Sequence, residues 1–321
     1  MATIAIIGAG MAGLACAQRL TAAGRAVTLF DKGRGPGGRL ATRRVETPHG
    51  VLRFDHGAQY LTVRDRGFRA SLARVSDAIA PWPESTGAPS EERFVGAPGM
   101  NALPKALAKG LDVRFSSRIA RLRRAEGGWT LDSEDGARFG PFAAVLVAVP
   151  AEQAGALVAP HSPAFAAEAA AARTAPCWAG LFAVQGQDQP PLIAQRLKDH
   201  PVLAWIACDS AKPGRDAALQ TWVLHARTDW SADHLEETPE TILTALQEAF
   251  EASVRPQSPI LFAQAHRWRF AQVTEPAATP FAWDKGLGLG LCGDWRIGPR
   301  VEAAWQSGDA LARAVLKADP C

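Results

Sequence analysis

The sequence predicts an α/β fold: a parallel sheet of βαβ units with a β-meander beside it, joined to a second, mostly antiparallel α+β unit. Three stretches carry that expectation. An apolar run, Thr3–Ile7, leads through Gly8-Ala9-Gly10-Met11-Ala12-Gly13 into a helix reaching about Ala23, then into a second strand, Ala26–Phe30, closed by Asp31. Ala143–Val149 is continuously apolar and stops at Pro150, as suits a strand buried on both faces of a parallel sheet. From Trp178 to Phe270 short alternating runs follow one another with few helices between them, the pattern of an antiparallel sheet.

Each piece of the opening unit has a mechanical reason. Gly8 permits the turn out of the strand, Gly10 lets backbone approach a pyrophosphate, and Gly13 lets the helix pack closely on the sheet. The helix N-terminus adds unpaired N–H groups and a partial positive charge for phosphate. Asp31 is placed to accept hydrogen bonds from both hydroxyls of a ribose, and its charge would repel a 2′-phosphate, which disfavours NADP in this slot. Glycines also punctuate ordinary strand–helix turns. The strand before, the helix after and the acid ending the next strand together favour a dinucleotide.

A chain of 321 residues suggests about two domains. Its 47% apolar and 21% charged residues are the balance of a soluble globular protein, and a net charge of +3, with bases scattered among acids, gives no argument for nucleic acid. No apolar run reaches the roughly eighteen residues of a membrane span. The first apolar stretch lacks a basic segment before it and holds Gly8, so it reads as a strand, not a signal peptide, and the cytoplasm is the expected location. Cys16, Cys177, Cys208, Cys292 and Cys321 show no C-x-x-C spacing, so neither a metal site nor a disulfide framework is expected. Cys16 and Cys292 read as core.

After Asp31 comes Gly33-Arg34-Gly35-Pro36-Gly37-Gly38-Arg39, then Leu40-Ala41-Thr42-Arg43-Arg44, where arginine can fork onto the same pyrophosphate. Val51–Asp55 reads as a strand running into His56-Gly57-Ala58-Gln59-Tyr60-Leu61, whose small residues suit backbone passing beneath a flat ring. Tyr60, the only tyrosine, reads equally as pocket wall or core. A helix is expected over Asp65–Ala80, loop with short strands from Pro81 to Gly99, and a helix over Met100–Lys109 with Pro104 in its first turn. Val113–Ser116, Arg118–Arg124, Trp129–Asp132 and Ala137–Phe139 read as the meander. Ala151–Ala172 is alanine-rich helix broken at Pro160 and Pro163. Strands follow at Trp178–Val184, Val202–Ala207, Thr221–Ala226 and Ile260–Phe270, with a helix at Pro239–Ala252. Six of the ten tryptophans fall from Trp178 to Trp283; most on such a sheet are core, yet a few could wall a flat substrate. His225 and His266 each sit inside a strand, where a structural role is the commoner one.

The end repeats the opening device. Gly288–Cys292 is a short strand leading through Gly293-Asp294-Trp295 and Arg296-Ile297-Gly298-Pro299-Arg300 into a helix from about Val301 to Lys317. A second helix N-terminus aimed at a polar ligand is unnecessary for NAD-dependent dehydrogenases. It suits extended FAD, whose pyrophosphate lies at the first turn and whose ribityl chain and flavin lie further on.

The order GAGMAGLACAQRL, FDKGRGPGGRLATRR, HGAQY, CGDW and RVEAAWQSGDALA resembles the flavin amine oxidase superfamily. Within it the chain is most similar to the renalases, above all the bacterial branch, which RFVGAPGM, TWVLHARTDW and AHRW also fit. The resemblance spans nearly the whole chain. It implies a Rossmann-like FAD-binding domain, expected over residues 1–64, 100–150 and 285–321, and a substrate domain over 65–99 and 151–284. Carried over, Gly8, Gly10, Met11, Ala12 and Gly13 would line the pyrophosphate, Asp31 with Lys32 the adenosine ribose, and Gly38, Arg39 and Leu40 the phosphate side. Gly57, Ala58 and Gln59 would pass beside the flavin, and Ile119 would meet adenine through its backbone. Gly293, Asp294, Arg300 and Val301 would hold the ribityl and pyrimidine end. The loop Arg34-Gly35-Pro36 need not contact FAD as in relatives, and His56 stands where an apolar residue is usual and is not expected to be catalytic. No cysteine sequence of the flavin-anchoring kind is present, so FAD is expected to be non-covalent.

The resemblance further implies oxidation of 2- and 6-dihydro isomers of NAD(P) to NAD(P)+, with hydride passing to flavin N5 and O2 giving hydrogen peroxide. Transfer from a ring that becomes aromatic needs stacking and orientation more than an acid or base. Tyr60, Trp268 and Trp295 are the expected walls of that pocket, with His225 and His266 as polar positioners. A small-amine oxidase is the first alternative, although a single tyrosine argues mildly against the usual aromatic pair. A non-catalytic FAD-binding protein is the second. No nucleic-acid, membrane or metal partner is expected, and the oligomeric state is not legible.

Overall fold

The computed structural model describes residues 3–82, 92–185, 192–216 and 218–318. Pro83, Gly87 and Pro89 of the expected loop, and Cys321, lie outside them.

A six-stranded sheet forms the first unit, in the order Ala282–Asp284, Leu289–Leu291, Ala144–Val147, Ile4–Ile7, Val27–Phe30, Asp112–Arg114; only the Ala282–Asp284 edge runs antiparallel. Alternation along the first strand serves two layers. Ile4 and Ile6 pack with Leu14 of the helix Met11–Ala22 and Leu311 of the helix Val301–Ala318. Ala5 and Ile7 face Trp129 and Leu131 of the meander, and Ala154, Val158 and Phe165 of the helices Ala151–Val158 and Pro163–Ala171. These two helices, split at the prolines as expected, therefore cover the parallel sheet. Likewise Phe68, Leu72, Trp82 and Val95 join the first core.

The strand order reverses between Ile4–Ile7 and Ala144–Val147, and the opening glycine turn sits at that switch point. Gly8 has φ +105°, and a Cβ there would lie 2.5 Å from the Ala148 carbonyl oxygen; one on Gly13 would lie 1.9 Å from that of Gly8. Both must be glycine for this turn to close.

Three local expectations are corrected. Asp112–Arg114 pairs in parallel with Val27–Phe30, so the meander has three strands, Ile119–Ala125, Gly128–Ser133 and Arg138–Phe142. The helix after Asp65 is short, Arg66–Ala73, capped by the Asp65 carboxylate on the Phe68 N–H at 2.8 Å; Ile79–Pro81 instead pairs with Arg93–Gly96. Arg43 and Arg44, expected on the pyrophosphate, lie in a strand, Arg43–Thr47, that forms a hairpin with Gly50–Phe54.

The second sheet is antiparallel throughout, in the order Ala194–Arg196, Leu203–Cys208, Leu219–Ala226, Arg173–Gln185, Ile260–Glu275. Phe182, Trp222 and Leu224 on one face pack against Leu246 and Phe250 of the helix Pro239–Val254. Leu181, Ala183 and Val223 on the other face meet Leu52 and Phe54 of the hairpin. The first unit thus reaches across and covers part of the second.

Candidate active site

A cavity of about 1300 Å³ runs from the C-terminal ends of the parallel strands to the free part of the second sheet. Pockets for one drug-sized ligand are usually about 300–1,000 Å³. This one has room for an extended cofactor and a second molecule.

At one end Gly10, Met11 and Ala12 line the cavity, and no side chain caps their helix. A Cβ on Gly10 would meet no protein atom within 4 Å, so the space before it is left for a ligand. The Asp31 carboxylate accepts from the Ala9 N–H at 2.7 Å and the Gly33 N–H at 2.6 Å, which ties the acid to the glycine turn. Gly37 N–H donates to the Ala9 carbonyl at 2.9 Å, drawing the glycine–arginine loop onto the same turn. Arg39 then forks, donating to the Ala271 carbonyl at 3.1 Å and to Asp294 at 2.6 Å. Gly57 lies close above: its neighbour Ala58 donates its N–H to the Arg39 carbonyl at 2.8 Å.

The other end is a face of the second sheet. Trp205, His225, Ala179 and His266 stand in one transverse row, since Trp205 pairs with His225, and Ala179 pairs with both histidines. Cross-strand partners share a face. Cys177 and Trp268 form the next row on that side. The His56 carbonyl accepts from the Trp268 indole N–H at 2.9 Å and contacts His225 Nε2 at 3.1 Å, which fixes both side chains against the first unit. Burial, then the nearby Arg43, holds the His266 imidazole down at about 4; burial pushes His225 down to about 4 as well. His56, buried and flanked by His266, Arg43 and His225, is pushed down to about 3. All three are neutral hydrogen-bonding groups near pH 7.

Of the residues singled out from sequence, Gly8, Gly10, Met11, Ala12, Asp31 and Lys32 line the first end, with Gly38, Arg39, Leu40 and Ile119 beside them. Gly57, Ala58, Gln59, Gly293, Asp294, Arg300 and Val301 line the middle, and Tyr60, His225, His266 and Trp268 the far end. Two stand apart. Gly13 is buried under Gly8, where its lack of a side chain serves packing. Trp295, expected as a pocket wall, is 1% exposed in the core, its indole N–H donating to the Val149 carbonyl at 3.1 Å. Glycine at 293 turns the chain so that this ring points into the sheet–helix layer with Phe165 and Ala282.

Sequence reasoning missed Trp205, Cys177 and four arginines, Arg196, Arg227, Arg267 and Arg269, all of which line the far end. Arg196 donates to the Tyr60 hydroxyl at 2.6 Å and lies 5.4 Å from the Trp205 ring centroid. Arg227 pairs with Asp229, and Arg269 and Arg267 share Glu236. Arg196 has no carboxylate partner among the described residues. Only strand register brings these positions together, and the signal available was the Arg–Trp–Arg alternation at 267–269. Among the described residues no group of three or more His, Cys, Asp or Glu is arranged to hold a metal ion, and no helix is long and apolar enough to cross a membrane.

Solved structures share this architecture. A protein from Exiguobacterium sp. 255-15 described as a protoporphyrinogen oxidase superposes with a TM-score of 0.76 at 11% identity, over 98% of each chain. Reduced UDP-galactopyranose mutase gives 0.74 at 12%, over 99% of this chain and 94% of that one. A putrescine oxidase redesigned in its cofactor binding gives 0.73 at 13%, over 99% of each. Residues 6–74 match the NAD(P)-binding Rossmann-like domain. The uncapped helix, the open space at Gly10 and the long cavity fit an extended dinucleotide, and FAD is the cofactor. Residues 64–316 match the flavin containing amine oxidoreductase family, and the chain belongs to it.

Proposed function

We propose that this protein is an FAD-dependent oxidase of renalase type, which oxidises the 2- and 6-dihydro isomers of NAD(P)H to NAD(P)+ and forms hydrogen peroxide from O2 in the cytoplasm. The observation that carries this reading is the charge of the far end. Four guanidinium groups face three carboxylates, Asp199, Asp229 and Glu236, and Arg196 keeps its charge for a ligand. Such a mouth attracts a phosphate-bearing substrate and repels a protonated amine.

Bound FAD supplies an acceptor for hydride. The chain's own residues supply position. Trp268 and Trp205 offer flat walls for a nicotinamide ring, and their orientation is set by register and by the His56 carbonyl. His225 and His266, neutral at pH 7, can hydrogen-bond a carboxamide without adding a charge that would oppose formation of a cationic pyridinium. A dihydronicotinamide requires no general base, because the lone pair of its ring nitrogen drives hydride departure.

A small-amine oxidase is the second reading, favoured by the family and by the aromatic walls. Anaerobic mixing decides between them. The yellow protein is combined with borohydride-generated dihydro-NAD isomers, with ordinary 4-dihydro NADH and with an amine panel. Rapid bleaching by the 2- or 6-isomers alone is the expected result. Bleaching by amines alone overturns it.

A further inference from the structure

We propose that Lys212 is a positioning residue for the bound flavin, setting the Gln59 side chain and holding a positive charge beneath Gly57-Ala58-Gln59. Four charged side chains lie almost fully buried under that segment. Asp55 comes from the end of the hairpin, and Asp209, Lys212 and Arg215 come from the loop between strands Leu203–Cys208 and Leu219–Ala226 of the second sheet. An ammonium without water must direct all three protons at acceptors. Lys212 donates to Gln59 Oε1 at 3.2 Å and to Asp55 at 3.5 Å and forms an ion pair with Asp209 at 2.6 Å, with its charge 5.4 Å from the centroid of the Trp82 ring.

The other half of the Gln59 amide is engaged within the turn. Its NH₂ group donates to the carbonyls of Asp55 and Gly57, so the side chain braces the turn, and Gln59 itself lines the cavity. Arg215 is absorbed elsewhere: it binds Asp55 at 2.5 Å and the Gly96 carbonyl at 2.7 Å. Of the two cations, Lys212 is therefore the one in contact with the cavity floor. Burial and the Asp55 charge push Asp209 upward, outweighing Lys212 and Arg215, whereas those two cations overcome burial to hold Asp55 low. Asp209 is thus the weaker of the two counter-charges. A cation beneath a flavin favours electron uptake and nucleophile addition at N5.

The proposal rests on FAD as cofactor and not on any substrate. The test compares FAD-loaded wild type, Lys212→Met and Lys212→Arg by sulfite titration of the oxidised flavin and by anaerobic reduction against a reference dye. Lys212→Met is expected to bind sulfite about tenfold more weakly and to have a lower potential, and Lys212→Arg to stay within about threefold of wild type. Unchanged sulfite binding in Lys212→Met overturns the proposal. So does an equal loss in Lys212→Arg, since that would report packing rather than charge. Should Lys212→Met fail to hold FAD, Asp209→Asn decides, because it removes the carboxylate 2.6 Å from the Lys212 ammonium. Tighter sulfite binding supports the role; unchanged or weaker binding overturns it. No substrate enters these measurements, so failure of the dihydronicotinamide reading would leave their outcome intact.

Discussion

Arg39 and Asp294, 255 residues apart in sequence, form an ion pair of 2.6 Å on the wall of the cavity. One belongs to the glycine–arginine loop after the second strand, the other to the turn before the last helix. The pair is partly buried, and both groups keep unused hydrogen-bonding capacity toward the cavity: remaining N–H donors on Arg39, a second oxygen on Asp294.

Arg39→Ala and Asp294→Asn are therefore expected to weaken FAD binding, each by about tenfold or more, as loss of a charge-assisted contact implies. Fluorescence titration of the apoproteins with FAD measures this. Wild-type affinity in both variants would remove the pair from the cofactor site.

Arg196→Ala should raise KM for a dihydro-NAD isomer about tenfold with little change in kcat, and the loss should shrink as salt is added. The reason is that a mouth arginine binds substrate and transition state alike. The matching nicotinamide riboside, which lacks phosphate, should not notice the substitution. Equal losses for both substrates would disprove the phosphate role.

Acid should destabilise the fold through its histidines. An unfolded imidazole titrates near about pH 6.5, whereas His225 and His266 are held down at about 4 and His56 at about 3. Below pH 6.5 the unfolded chain takes up protons that the folded chain refuses. Stability is thus full above that pH, falls as pH drops toward 4, and falls further toward 3 on account of His56. Thermal melts across this range should show the decline. His56→Leu should make it shallower, and a profile as steep as wild type would count against the assignment.

Gly308→Ala addresses the scaffold. A Cβ at Gly308 would lie 2.0 Å from the Ala12 carbonyl oxygen, where the last helix crosses the first. The two helices must part, at a cost on the order of 1–3 kcal/mol. Because Ala12 lines the cavity, the lower Tm should be accompanied by weaker FAD binding.

Trp295→Phe separates core from pocket. It forfeits the hydrogen bond to Val149 and should cost about 1 kcal/mol of stability, yet leave KM unchanged. A large KM effect would return Trp295 to the substrate wall.

The nucleotide-binding unit was legible because its signals are local. Gly8, Gly13 and Asp31 sit at spacings dictated by one strand, one turn and one helix, and Ala143–Val149 reads as buried because nothing polar interrupts it. The length of the helix after Asp65 was misread because Ile79-Ala80-Pro81 suits the end of an amphipathic helix until a partner strand, Arg93–Gly96, is present. The substrate face was legible only in part. His225 and His266 looked solitary in sequence, and only pairing to the shared Ala179 sets them side by side. Lys212 gave no pattern at all, since its burial depends on acids from two different units.

The hairpin strand Gly50–Phe54 packs on the second sheet and then runs without a break into Gly57, Ala58 and Gln59 of the cavity floor. Exchanging one half of this molecule for another would disturb the packing of the half that stayed. A transplanted substrate sheet would arrive without its cover, and the donor's flavin-facing turn would come with a ribbon shaped for a different surface. New specificities on this scaffold are expected to arise by point changes along the rows of the sheet rather than by recombination of its parts.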